Sequence, residues 1–221
     1  MVVAPEAWLI VLPLAWAVLA ILSPARGRAL IALGGVSLQL LFAVELARQV
    51  LADGARVHRV GAWGAPLGID LLADGLAAVM LVLTAVVALA VVLYARVWLA
   101  VERSDAPWLW PLLGALLAGL DLLFLTRDLF NVYVGLELVG LSAVALVAAE
   151  GKAAQIEAAW RYLVASLVAA GAWLLAIALL YGAYGTVSLS VLAEAMDEGV
   201  PRAASLALLI MAIALAVKGA L

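Results

Sequence analysis

The chain has no cysteine, a single histidine at position 58, and only 12% charged residues among 221. Without cysteine there are no disulfides, no thiolate metal ligands, no iron–sulfur ligation and no thiol nucleophile. His58 stands between Val57 and Arg59 with no companion ligand nearby, so it reads as an ordinary loop residue. Gly-rich stretches such as GAWGAPLG lack the spacing of a phosphate cradle and read as turns. These absences leave no expected cofactor and no metal site. Any redox chemistry associated with the chain belongs to another polypeptide, and the most the chain offers as an enzyme is a translocase subunit. A formal charge of −3 spread over scattered sites gives no footprint for nucleic acid.

Hydrophobic residues, by contrast, make up 69% of the chain, and the mean hydropathy is +1.25. A soluble domain of this size needs far more polar surface. The apolar runs are too long for barrel strands, so the expected class is an all-α polytopic membrane protein. Charge and Gly/Pro punctuation divide it into about seven spans, near 7–23, 29–51, 71–99, 107–126, 129–149, 159–184 and 203–221. Each is close to the ~20 residues that cross the hydrocarbon layer. Between the second and third spans, residues 53–70 suggest a small extramembrane β-hairpin. The N-terminus lacks a basic region and carries Glu6, so it reads as a retained first helix. Arg26 and Arg28 directly after that helix favour an N-terminus outside. The last run ends while still apolar, which reads as a fragment or as one piece of a split protein.

Four ionisable residues lie inside or near these spans: Asp121, Glu137, Arg161 and Lys218. A charge at the centre of a span costs about 2.5–3.5 kcal/mol on insertion scales, so each needs a reason. Arg161 lies between Trp160 and Tyr162 near a helix start, where a long basic side chain reaches back to the interface. Asp121 is close enough to the polar Thr126–Asp128 segment to reach interfacial water. Glu137 has neither escape, because it lies near the middle of its span on a short side chain. Tyr133 one turn before it offers a hydroxyl, and Gly140 offers a surface for another helix. A protonated Glu137 acting as interhelical glue is the plain alternative to an ion-handling carboxylate. Lys218, deep in the last run and followed by Gly219, is the natural opposite charge. Its plain alternative is a terminal residue reaching for water. Paired, a buried Glu and Lys make each other tolerable in hydrocarbon, and separating them makes each charged form costly. Moving one charge therefore releases or takes up a proton.

Four segments, RVGAWGAPLGIDLLADGLAAVMLVLT (59–84), TRDLFNVYVGLELVGLSAVALVA (126–148), EAAWRYLVASLVAAGAWLLAIALLYGAYGTVSL (157–189) and ALAVKGAL (214–221), resemble the antiporter-like membrane subunits. That family is shared by Mrp-type Na+/H+ antiporters, respiratory complex I and membrane-bound hydrogenases. The hairpin followed by DGL and the DLFNVYV run are most similar to the D-type subunit of the Mrp antiporters. The resemblance implies a fold of about fourteen helices with two inverted repeats of about five helices, each holding a broken helix. It places residues 1–106, helices 1–3 with the hairpin, before the first part of the proton-translocating domain at 107–221. It also implies that Glu137 and Lys218 are the coupled pair on the ion path, with Asp121, Tyr133 and Arg161 as secondary candidates. The expected function is proton translocation or Na+/H+ antiport in a multisubunit Mrp-type complex. The alternatives are a proton-pumping subunit of an NADH:quinone oxidoreductase or hydrogenase, or a purely structural assembly subunit. Implied partners are other membrane subunits, homologous antiporter-like ones among them, together with protons and Na+. The implied location is the inner (plasma) membrane, crossed several times.

Overall fold

The computed structural model describes residues 5–62, 68–102, 106–197 and 199–219. Among the described residues, eight α-helices and one two-stranded sheet follow in the order α1 (Pro5–Leu22), α2 (Ala25–Asp53), β1 (Arg56–Arg59), β2 (Asp70–Ala73), α3 (Gly75–Glu102), α4 (Leu109–Leu125), α5 (Leu129–Ala148), α6 (Ala153–Tyr184), α7 (Leu189–Asp197) and α8 (Arg202–Lys218). Of these, α1, α2, α3, α5 and α6 are long and apolar enough to cross a membrane, and α4 is a shorter apolar helix. The chain is thus an all-α multi-pass membrane protein with a small β-hairpin between its second and third helices.

Local signals fix the helix ends. Pro5 opens α1, where its missing N–H costs nothing. The Asp128 carboxylate caps α5 by accepting hydrogen bonds from the Phe130 and Asn131 amides at 2.9 and 3.0 Å. Gly185 closes α6 at φ +68, a left-handed conformation that favours glycine. Asp128→Ala removes the cap and should lower stability by about 1 kcal/mol, whereas Asp128→Asn should cost little. Thermal unfolding of the detergent-solubilised protein checks the difference.

Two boundaries and one additional helix depart from the sequence reading. The third span does not begin at residue 71: residues 70–73 are β2, paired antiparallel with β1 from Arg56↔Ala73 to Arg59↔Asp70. Residues 71–73 of this strand are as apolar as the helix that follows, and only Asp74 and Gly75 separate the two. Asp74, whose carboxylate accepts the Ala77 amide at 2.8 Å, marks the true helix start. The sixth span starts earlier, at Ala153, because the polar first turns of α6 are also helical. Helix α7 was not expected, although Leu189, Leu192 and Met196 carry a helical spacing, with Leu192 buried. Residues 63–67, the expected turn of the hairpin, lie outside the described residues.

Packing relies on small residues, as helix association in lipid requires. Ala20, Ala32, Ala43, Ala85, Ala118, Ala176, Ala204 and Ala207 are completely buried between helices. Gly35 lies under the Trp16 ring, and Gly114 lies against the Pro13 carbonyl and Ala17. Helix α4 packs on α1 and on α5, so it joins the first helices to those that follow.

One face of the bundle is held by backbone hydrogen bonds between distant connections. The Arg127 amide donates to the Asp70 carbonyl at 3.1 Å, and Leu71 bridges Thr126. The Leu129 amide donates to Val187 and the Leu189 amide to Arg127, with Asp128 bridging Ser188. The hairpin, the α4–α5 junction and the α6–α7 junction thus form one ladder. Arg56 adds an ion pair at 3.3 Å to Glu6, which is 2% exposed, so the start of α1 joins the same face.

Candidate functional site

Glu137 lies near the middle of the twenty-residue α5. The α4–α5 interface dictates where it points. Gly119 and Gly135 let the two backbones approach: a Cβ at Gly119 would lie 2.8 Å from Val139 Cγ2 and 3.2 Å from the Gly135 carbonyl. Glu137 is two positions from Gly135, about 200° around the helix. Its carboxylate therefore faces away from α4, toward α6 and α8.

There it meets Lys218 from the last turn of α8. Lys218 Nζ donates to Glu137 Oε1 at 2.6 Å, with the side chains 9% and 15% exposed respectively. The same ammonium donates to Ser166 Oγ of α6 at 3.3 Å. Gly140, one turn beyond Glu137, sits against Ser166, where an added Cβ would come 3.7 Å from its hydroxyl. A carboxylate, an ammonium and a hydroxyl from three helices thus converge. A charge-assisted bond of this length, largely shielded from solvent, has a low-dielectric surrounding that strengthens it and makes loss of either partner expensive.

The other sequence candidates are elsewhere. Tyr133 is half-buried against the α5–α6–α8 apolar cluster, its ring 6.0 Å from that of Phe130. Arg161 is exposed on α6 and pairs with Glu157 one turn back. Asp121 does not reach interfacial water: it is completely buried, and its Oδ2 accepts from Gln39 Nε2 of α2 at 2.6 Å. It is two positions from Gly119, so it faces away from α5 by the same rotation that turns Glu137 away from α4.

Sequence reasoning missed two residues. Ser166 gives no signal, because a serine in an apolar helix costs little. Gln39 could have been found: an amide in the middle of the run GVSLQLLFAV needs a partner inside the membrane. Among the described residues no group of three His, Asp or Glu side chains could hold a metal ion.

A family model described as NADH:quinone oxidoreductase/Mrp antiporter, transmembrane region, matches residues 126–221. The D-type subunit of a probable K(+)/H(+) antiporter from Rhizobium meliloti is 33% identical over 205 residues, which are 89% of this chain and 38% of that protein. The chain thus spans little more than a third of that curated relative. A chain of the membrane-bound sulfane sulfur reductase, an archaeal respiratory membrane complex, superposes with a TM-score of 0.87 at 30% identity, covering 96% of this chain and 44% of the other. A chain of the Mrp complex from Dietzia sp. superposes with a TM-score of 0.80 at 26% identity, covering 98% and 41%.

Proposed function

Since the chain belongs to the antiporter-like membrane subunits of the NADH:quinone oxidoreductase/Mrp type, its residues 126–221 matching that family, we propose that it carries part of an ion path on which Glu137 and Lys218 exchange charge state. The observation that carries this reading is the 2.6 Å contact between two oppositely charged side chains from separate helices, both largely shielded from solvent.

A proton arriving on Glu137 cancels the attraction to Lys218. The ammonium then leans on Ser166 Oγ, already within 3.3 Å, and its freed charge is available to the next group on the path. Re-ionisation of Glu137 draws Lys218 back. Charge movement and side-chain movement are thereby linked, and the low dielectric of the surroundings makes the linkage strong. The ions are protons, with Na+ as the exchanged cation. The partners are other membrane subunits, including homologous antiporter-like ones, in the plasma membrane. The similarity to the respiratory complex favours a second reading of the same pair, in which it pumps protons for a redox-driven assembly.

Replacing both members with leucine separates an ion path from simple glue. Apolar replacement of a buried pair is often neutral or stabilising. The Glu137→Leu/Lys218→Leu variant of the full-length protein should therefore assemble normally and transport no ions. Full transport in vesicles carrying the double variant would reduce the pair to an assembly element.

A further inference from the structure

The α2–α4 interface holds a second polar pair, which is independent of the ion path proposed above. Gln39 and Asp121 are 1% and 0% exposed, and the amide Nε2 donates to Asp121 Oδ2 at 2.6 Å. Their other two oxygens, Gln39 Oε1 and Asp121 Oδ1, are both buried without a hydrogen-bond partner. Among the described residues no Lys, Arg or His forms an ion pair with Asp121. The walls are apolar: Leu117 and Val36 belong to one core cluster on one side, and Leu125 and Ala43 to another on the other side.

Two orphaned acceptors cannot satisfy each other, and an ionised carboxylate in this setting has neither a counter-charge nor enough donors. One proton resolves both defects. A carboxylic acid and a primary amide are complementary: the amide N–H donates to one acid oxygen while the acid O–H donates to the amide oxygen. We propose that Asp121 holds a proton and donates it from Oδ1 to Gln39 Oε1, making the two side chains a neutral, doubly hydrogen-bonded acid–amide pair that fastens α4 to α2 away from the ion path. The carboxyl of Asp121 and that of Glu137 point to opposite sides of the α4–α5 contact, because each lies two positions from the glycine that makes it. The proton at Asp121 is therefore held rather than passed.

The test compares the wild-type full-length protein in its native complex with Asp121→Asn, by infrared spectroscopy at neutral pH and by ion transport in the same membranes. Asparagine places N–H where the acid has O–H, so it keeps both bonds to Gln39. The expected result is loss of a protonated-carboxyl stretching band, with assembly and transport unchanged. Spectra that agree in the protonated-carboxyl region would mean Asp121 is ionised and would overturn the proposal. So would abolished transport in an assembled Asp121→Asn complex, which would put the residue on the path. Gln39→Leu and Asp121→Leu alone should each reduce the amount of assembled protein, and the two together should restore it. If the double variant were no better than the singles, the pair would not be the unit proposed. Neither arm alters Glu137 or Lys218, so failure here is distinguishable from failure of the ion-path reading.

Discussion

Glu137→Gln in the full-length protein is expected to lower coupled ion transport by roughly a hundredfold or more, the scale of a lost proton-transfer group, while the complex still assembles. Glutamine has nearly the same shape, and its Oε1 can still accept from Lys218 Nζ, so the three-helix contact with Ser166 survives. It cannot take up a proton and carries no charge to exchange with the lysine. Collapse of an imposed pH gradient in everted vesicles gives the transport rate, and the amount of assembled protein in the same membranes gives the control. Transport at the wild-type rate would remove Glu137 from the path.

Gly119→Leu is expected to fail in the opposite way, losing assembly first and transport with it. The Cβ alone would lie 3.0 Å from the Val139 amide nitrogen and 3.2 Å from the Gly135 carbonyl. These are backbone atoms, which cannot swing aside as a side chain would. Overpacking typically costs about 1–3 kcal/mol, and a contact that must separate two helix backbones belongs at the upper end or beyond. Because the same contact aims Glu137 at Lys218, any variant that survives should also lose the ion pair. Gly140→Ala is the matched control: its Cβ meets only Ser166 Oγ at an ordinary 3.7 Å. Thermal unfolding in detergent should separate the two glycines clearly, and equal midpoints would contradict the packing account.

The legibility of the site in the sequence followed cost. Glu137 was conspicuous because a carboxylate in mid-span is expensive, and Lys218 because it is the opposite charge on another apolar run. Ser166 was invisible because a hydroxyl costs little in a helix, and only the three-dimensional crossing brings it to the lysine. Asp121 is conspicuous for its charge, but its distance along the helix from Thr126 points to interfacial water and says nothing about which way it faces. The rotation set by Gly119 decides that, and it turns the carboxyl toward Gln39. Length and hydropathy define the helices, while β2 merges with the third span because residues 71–73 are as apolar as the helix after them. The ladder joining Asp70, Arg127 and Val187 left no trace in composition, since main-chain groups are the same at every residue.

That ladder gives the bundle unequal mechanical ends. Among the described residues, the backbone bonds at the α1–α2, α3–α4 and α5–α6 connections are all local to one connection. The opposite ends of the same helices are cross-linked by bonds from the Arg127 amide to the Asp70 carbonyl and from the Leu129 amide to the Val187 carbonyl. A helix tilting within this framework has its fulcrum at the cross-linked end, and its displacement grows with distance from it. Lys218, in the last turn of α8, meets Glu137 near the middle of α5, so the ion pair stands partway along the lever arm. A small change of angle near the fulcrum therefore moves the α1–α2, α3–α4 and α5–α6 connections most and is felt at the ion pair in smaller measure.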